Sequence, residues 1–433
     1  MNTFWDVVIV GAGVSGLSAA CELRKSGLSI LVLEARDHIG GRAWTRHEPG
    51  LSAPIELGAE FIHGRVPETF ELLHEVGKAA LDTSGAHWTL RDGKLVQNTE
   101  DLFGDIQNAL ERSKILEKPD ISFQAWLDSS DQYGLSKEAA TMAKAFVEGF
   151  DAADPARVSA HFVAEEWGAG GMLDSPQFRP LGGYSSVLSA LAGSLERDNI
   201  QLQLQSVVKE IRWQPGSAQI DVTRFDQSVT LRAKTVIVTL PLGVLQAGSV
   251  RFTPALDSKQ PALEKLVFGP VLKLSLRFRK AFWEELDDRK YAGAAFFHSA
   301  DTAFPTFWTP LPLRAPLMTA WMAGPKAAQL SKKEMPHIVG QALESLATIF
   351  KGAQLELEGA YLHNWQADPY SLGAYSYIGV GGSDARKTLA APVEDTLFFA
   401  GEATDENEAA TVGGALQSGA RVAREITERF KHG

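Results

Sequence analysis

Two glycine-rich segments, one near each end of this 433-residue chain, constrain its fold most, because each has the form of half a nucleotide-binding site. Near the start, the apolar run Asp6-Val7-Val8-Ile9-Val10 leads into Gly11-Ala12-Gly13-Val14-Ser15-Gly16 and then the helical pattern Leu17-Ser18-Ala19-Ala20-Cys21-Glu22-Leu23. Near the end, Thr396-Leu397-Phe398-Phe399-Ala400-Gly401-Glu402 is followed by Gly413-Gly414-Ala415-Leu416-Gln417-Ser418-Gly419, which opens another helix. A chain that returns to its own beginning in this way wraps a large ligand.

A G-x-G-x-x-G is weak by itself, and the plain alternative is a βαβ turn with no ligand. Its surroundings raise it. A second strand, Ser29-Ile30-Leu31-Val32-Leu33, ends in Glu34, which lies 18 residues (34 − 16) beyond Gly16. That is close to the spacing at which a carboxylate meets the ribose hydroxyls of a dinucleotide. Gly11 allows the tight turn, Gly13 lets backbone approach a pyrophosphate, and Gly16 lets the helix lie close to the sheet. The helix N-terminus, with Ser15 in its first turn, turns free N–H groups and a positive dipole end toward phosphate.

Glu34-Ala35-Arg36 leads to Ile39-Gly40-Gly41-Arg42, where two glycines and an arginine form a second loop against the same pyrophosphate. Arg42 supplies a planar, permanently charged fork suited to phosphate oxygens. Further landmarks are Ile55-Glu56-Leu57-Gly58-Ala59-Glu60-Phe61-Ile62-His63-Gly64, Val238-Thr239-Leu240-Pro241-Leu242-Gly243-Val244-Leu245, Lys273 and the C-terminal block. In content and order these resemble the flavin-dependent amine oxidase family of monoamine oxidases, polyamine oxidases and flavin histone demethylases. The resemblance covers the whole chain and is closest in motif to polyamine oxidases. It implies an α/β fold, with a Rossmann-like FAD-binding domain of the GR2 type interleaved with an α+β substrate-binding domain.

On that resemblance, residues 1–76, 184–262 and 368–433 form the FAD-binding domain, and 77–183 and 263–367 the substrate domain. The FAD-binding residues it implies are Gly11, Gly13, Ser15, Gly16, Glu34, Ala35, Arg36, Gly41, Arg42, Gly58, Ala59, Glu60, Val208, Trp365, Gly401, Glu402, Thr411 and Val412. Leu202, Leu204 and Val208 alternate as one strand, with the Val208 backbone at the adenine. The stretch 77–183 reads as mostly helical, as in Ser136 to Phe146, and 263–367 opens with strands and carries a helix around Met335 to Phe350.

In Val271-Leu272-Lys273-Leu274-Ser275-Leu276-Arg277-Phe278, alternation puts the leucines and Phe278 on one face and Lys273, Ser275 and Arg277 on the other. Taken alone, Lys273 is a lysine on the wet side of a strand. The resemblance instead implies a partly desolvated catalytic lysine that holds a water beside flavin N5, just ahead of Phe282-Trp283. In Trp365 to Tyr377, Tyr375 matches an aromatic wall of the substrate channel, and Trp365 lies beside flavin and substrate. Ala374 stands where monoamine oxidases carry a flavin-linking cysteine, and the single cysteine, Cys21, lies in the dinucleotide motif, so FAD is expected to be noncovalent. Thr411 faces Tyr375 where monoamine oxidases have a second tyrosine, which favours the polyamine side. His63 matches a histidine that contacts substrate nitrogen. Glu60 either attracts an ammonium group or meets flavin ribityl atoms, Glu402 lies near ribityl and phosphate, and Glu165 and Glu166 line an acidic channel or a solvated helix face.

Composition fits. With 45% hydrophobic residues a chain of this length forms two cores, and no apolar run reaches membrane-spanning length. The first strand starts close to Met1, leaving no room for a leader, and a cytoplasmic location is expected. One cysteine excludes a disulfide framework or cysteine-based metal cluster, and no metal is expected. The net charge of −11 disfavours nucleic acid and suits a small cationic amine. Demethylases carry a long helical insertion for which 433 residues without a heptad-rich stretch leave no room.

The implied reaction is oxidation of a C–N bond of an amine, such as spermidine or spermine. Hydride passes to flavin N5, the imine hydrolyses, and molecular oxygen is reduced to hydrogen peroxide. Three alternatives stand beside it. A monoamine or L-amino-acid oxidase would share the scaffold, the latter with Arg179 or Arg314 clamping a carboxylate. A carotenoid or porphyrinogen oxidoreductase would share the N-terminal motif, against which Lys273 and Gly373-Ala374-Tyr375 speak. A FAD-holding protein without turnover would act by binding a partner. The sequence leaves the oligomeric state open.

Overall fold

The computed structural model describes residues 4–98, 102–168, 175–195 and 199–432. Ile200–Gln203, Ile30–Leu33, Phe4–Val10 and Gln227–Val238 lie side by side in that order, all parallel. Val7, Val8 and Ile9 are fully buried, as a strand covered on both faces requires, which is why this segment reads as unbroken apolar sequence. The 12-residue strand Gln227–Val238 serves two further partners along its other edge. Its first part pairs antiparallel with Ser217–Arg224, and its last residues pair parallel with Leu397–Phe399. Both ends of the chain therefore enter one sheet.

Helix Val14–Leu23 follows the first strand, and the 21-residue helix Val412–His432 packs directly on it. A Cβ on Gly419 would lie 2.2 Å from the Ser15 carbonyl oxygen, so close packing of the two helices needs glycine there. Ser18 Oγ, donating to the Leu416 carbonyl at 2.8 Å, ties the same pair.

A second, seven-stranded sheet has the order Leu357–Tyr361, Val271–Phe278, Leu317–Ala323, Thr306–Trp308, Ala294–His298, Ala86–Arg91, Lys94–Gln97. One face buries Leu272, Leu274, Leu276 and Phe278 against Ile338, Ala342 and Leu346 of helix Met335–Ile349. Lys273, Phe296, Trp308 and Trp321 of this sheet line a cavity. Beside the sheet, helices Phe123–Leu127, Lys137–Gly149 and Ala160–Trp167 enclose a core around Phe123, Trp126 and Trp167. Ser122, Ser136 and Ser159 cap them, each hydroxyl accepting an N–H at 3.1–3.2 Å. Among the described residues, no helix is long and apolar enough to cross a membrane.

Two expectations change. The stretch after residue 77 is not helical at first, because strands Ala80–Asp82, Ala86–Arg91 and Lys94–Gln97 precede the helices. The last two form a hairpin turning at Asp92-Gly93, where both φ angles are positive (49° and 74°), and that dipeptide was the available signal. Leu202, Leu204 and Val208 do not share one strand. Gln205 adopts φ 53° and breaks the run, so Ile200–Gln203 extends the parallel sheet while Ser206–Gln214 turns back antiparallel to Ser217–Arg224. On the second face of Val271–Phe278, Lys273 is 4% exposed and Ser275 2%, while Arg277 is half-buried; burial of Lys273 is what the resemblance implies, where the strand taken alone gives a wet face.

Candidate functional site

A cavity of roughly 1410 Å³ is lined by both sheets and by the helices around Trp167. At its dinucleotide end stand Gly11, Gly13, Ser15, Glu34, Ala35, Arg36, Gly41, Arg42, Val208, Gly401, Glu402, Thr411 and Val412, all predicted from sequence and all lining the wall. Gly16 does not line it. A Cβ there would fall 1.9 Å from the Gly11 carbonyl oxygen, so Gly16 closes the helix onto the strand. A Cβ on Gly13 would meet no protein atom within 4 Å and would stand in open space at the cavity wall.

Glu34 is buried, accepting the Ala12 N–H at 2.8 Å and the Arg36 N–H at 2.9 Å, which fixes its carboxylate at the strand end. Arg36 bonds Asp368 Oδ2 at 2.8 Å and lies over the Trp365 and Tyr370 rings, tying the N-terminal loop to the C-terminal segment. Arg42 donates to the Ala374 carbonyl at 2.6 Å and to Glu402 Oε1 at 2.9 Å. Burial would raise the Glu402 pKa, but Arg42, Ser376 and Arg386 override it and hold the carboxyl below its usual range. Thr411 caps the last helix: its hydroxyl donates to the Glu408 carbonyl and accepts the Gly414 N–H at 3.0 Å.

These groups fit a dinucleotide. The N-terminus of Val14–Leu23 and Arg42 suit the pyrophosphate, Glu34 suits ribose hydroxyls, and the space over Gly13 admits close approach. Gly13→Ala is expected to leave the fold intact yet weaken FAD binding at least tenfold, about 1.4 kcal/mol. Flavin fluorescence titration together with melting of the flavin-free protein will check this. Unchanged affinity would show that nothing approaches Gly13.

At the other end, the Lys273 ammonium reaches Glu60 Oε2 at 2.7 Å and the Gly58 carbonyl at 2.9 Å, over the Trp308 ring. Glu60 Oε1 accepts from Arg179 Nε and Trp308 Nε1, each at 2.9 Å. Burial would raise the Glu60 pKa, but the Lys273 and Arg179 cations override it and hold the carboxyl down to about 2. Glu60 is thus an anchor for two cations, with both oxygens bonded, a role that the sequence reading did not assign to it. Arg179 also donates to the carbonyls of Thr309 and Leu311, and Arg314 is engaged outside the cavity with Glu284 and Ala292. Neither forms a carboxylate clamp.

His63 lines the cavity between Phe61 and Phe150, and its Nδ1 has no hydrogen-bond partner among the described residues. Burial pushes its pKa down to about 4, so the ring is neutral at physiological pH. Trp365 Nε1 donates to the Leu57 carbonyl at 2.9 Å, fixing the indole beside Gly58 and Ala59. Tyr375 presents its ring to the cavity and donates to the Phe150 carbonyl at 2.6 Å. Glu165 is exposed, whereas Glu166 lines the cavity. Arg179, Trp308 and Asp151 had no motif of their own; strand pairing and packing bring them in. Cys21 is buried with Sγ donating to the Leu191 carbonyl and does not line the cavity, so it forms no link to a ligand there.

Residues 14–427 match the family described as flavin containing amine oxidoreductase, and the chain belongs to that family. Its cofactor is FAD, held noncovalently. Over 99% of its length it is 28% identical to lysine-specific histone demethylase 1 homolog 3 of Arabidopsis thaliana, and spans 30% of that protein. It spans about half of other histone demethylases it matches. With polyamine oxidase 3 of rice it shares 28% identity over 98% of this chain and 90% of the relative. A structure of putrescine oxidase bound to putrescine superposes with a TM-score of 0.82 at 23% identity, covering 99% of this chain and all of that one, and so shares its fold.

Proposed function

We propose that this chain is an oxidase of amines, with polyamines such as spermidine or spermine as substrates, and that it acts at a C–N bond with oxygen as acceptor. The observation that supports the reading best is the placement of buried Lys273, neutral His63 and the Tyr375 ring on one cavity that continues to the dinucleotide end. Bound FAD supplies the hydride acceptor, and the net reaction turns amine, oxygen and water into a carbonyl compound, a smaller amine and hydrogen peroxide.

The protein's part is positioning and exclusion of water. Trp308, Trp321, Trp365 and Tyr375 give the pocket apolar walls on which an alkyl amine packs and which favour a cation at their faces. His63, uncharged, accepts a hydrogen bond from the substrate nitrogen without repelling it. Two N–H bonds of Lys273 go to Glu60 and Gly58, and an ammonium has three. The third is available to a water in the cavity, the molecule that the hydrolytic half of the reaction consumes.

Anaerobic bleaching of the flavin band with spermidine, spermine, putrescine, a benzylic monoamine and L-amino acids tests the reading. Fast bleaching by the polyamines is expected. Bleaching by amino acids alone would move the substrate, and bleaching by none would leave the partner-binding alternative. The bleaching rate is also expected to climb toward alkaline pH, because only an unprotonated amine gives up hydride readily. His63, with its pKa near 4, is expected to add no inflection above pH 5. An inflection between pH 6 and 7 that vanishes in His63→Ala would contradict a neutral imidazole.

A further inference from the structure

A second cavity, of about 360 Å³, lies where two apolar cores fail to meet. Met335, Ala360 and Leu362 pack on the core that includes Ile338, and Tyr361 packs on the smaller core of Ile55, Leu57 and Leu317. Leu57, Met335, Ile338, Ala360 and Leu362 supply the apolar walls of the space between. Its volume is at the lower end of the range for small-molecule pockets and far above the voids that side-chain packing leaves.

The rim is cationic. Arg46 and Lys333 both border the cavity, in a chain whose net charge is −11. Arg46 stands over the Tyr361 ring at 5.0 Å and gives its Nε to Glu48, while its two terminal nitrogens have no hydrogen bond among the described residues. Lys333 is exposed, and its ammonium has no ion pair or hydrogen bond among them either. Met335 opens the 15-residue helix Met335–Ile349, whose positive dipole end adds to the same rim.

The second cavity also touches the main one. Leu57 lines both, so one side chain forms the partition. The Leu57 carbonyl holds the Trp365 indole at 2.9 Å, and the next carbonyl, that of Gly58, holds Lys273 at 2.9 Å. Asn364, on the wall of the second cavity, directly precedes Trp365. Anything that fills the second cavity bears on the segment that positions both side chains.

We infer that the second cavity binds an aliphatic monocarboxylate, its head between Arg46 and Lys333 and its chain against Leu57, Ile338 and Leu362, and that occupancy is transmitted through Leu57 to the main cavity. A carboxylate matches the planar fork of the free Arg46 nitrogens. An ammonium head is repelled by the same two cations, so the site excludes amines. The inference holds whatever amine the main cavity takes.

Calorimetry of the FAD-loaded protein with butanoate, hexanoate and octanoate, at pH 7.5 and low salt, tests it. One site per chain is expected, tightening about fourfold for each added CH₂ until the cavity is filled. Lys333→Glu, at an exposed position, is expected to keep the wild-type melting temperature and to weaken octanoate at least fivefold. Met335→Cys puts a thiol on the cavity wall, where the native Cys21 is buried elsewhere. Octanoate is expected to slow alkylation of that thiol by iodoacetamide severalfold, and octyltrimethylammonium to leave it unchanged. The flavin absorbance band is expected to shift with the same affinity for octanoate that calorimetry gives, and the shift to weaken in Lys333→Glu. Absence of saturable binding, octanoate affinity unaltered by Lys333→Glu, or an unprotected thiol overturns the site. A flavin band that stays still while the thiol is protected overturns transmission through Leu57.

Discussion

Replacing Glu60 with glutamine will lower stability by about 3–5 kcal/mol, the cost typical of leaving a buried charge without its partner. Glu60 is the shared anion of Lys273 and Arg179, with side chains only 4% and 10% exposed, and the substitution leaves both cations buried without it. The carboxyl's pKa, about 2 against an ordinary 4.5, gives the same order: at 1.36 kcal/mol per unit the shift corresponds to roughly 3 kcal/mol. The sign is fixed by linkage. A carboxyl whose pKa is depressed by folding stabilises the folded state above about pH 4.5, and that contribution is lost as pH falls toward 2. Urea unfolding at pH 7 should therefore show a lower midpoint with an unchanged slope, and the difference from wild type should shrink on acidification. A loss below about 1 kcal/mol would mean that the ion cluster is not held as described. Because the three residues share one network, Glu60→Gln with Lys273→Met is expected to be less destabilised than Glu60→Gln alone.

What the sequence makes legible follows from how local each determinant is. The first strand, its glycines, the helix and Glu34 are contiguous, and each depends on neighbours within a few tens of residues, so their arrangement is readable from spacing. Helices capped by Ser136 and Ser159 are local in the same sense. Burial of Lys273 is not local. Alternation correctly separates it from the leucines, but what covers its face comes from Gly58, Glu60 and Trp308, which are distant in sequence. The role of Glu60 was missed for the same reason, since its partners Arg179 and Trp308 arrive from strands Gln177–Pro180 and Thr306–Trp308. Asp151, on the cavity wall, has no spacing signature, because the packing that buries it is not local. The break at Gln205 depends on a positive φ at a residue type that gives no warning of it.

Lys273→Met is expected to separate catalysis from stability in the opposite direction to Glu60→Gln. Methionine fills nearly the same volume, and removing the ammonium leaves Glu60 with Arg179 and Trp308, one anion against one cation. The remaining pair is balanced and keeps its bonds, so the urea midpoint should move far less than in Glu60→Gln and FAD should still be retained. Reactivity should not survive so well. The variant loses the donor anchored between Glu60 and Gly58 at the cavity wall, and with it the means of fixing a water or moving a proton beside the reacting atoms. Groups in that position typically contribute about 10²–10⁴ in rate. Stopped-flow measurement of anaerobic flavin bleaching and of reoxidation by oxygen, done separately, will show which half-reaction depends on the ammonium. A fall of about a hundredfold or more in either, with a near-native urea midpoint, assigns Lys273 to the chemistry. Rates within a few-fold of wild type in both would make it a structural partner of Glu60 and remove the catalytic assignment.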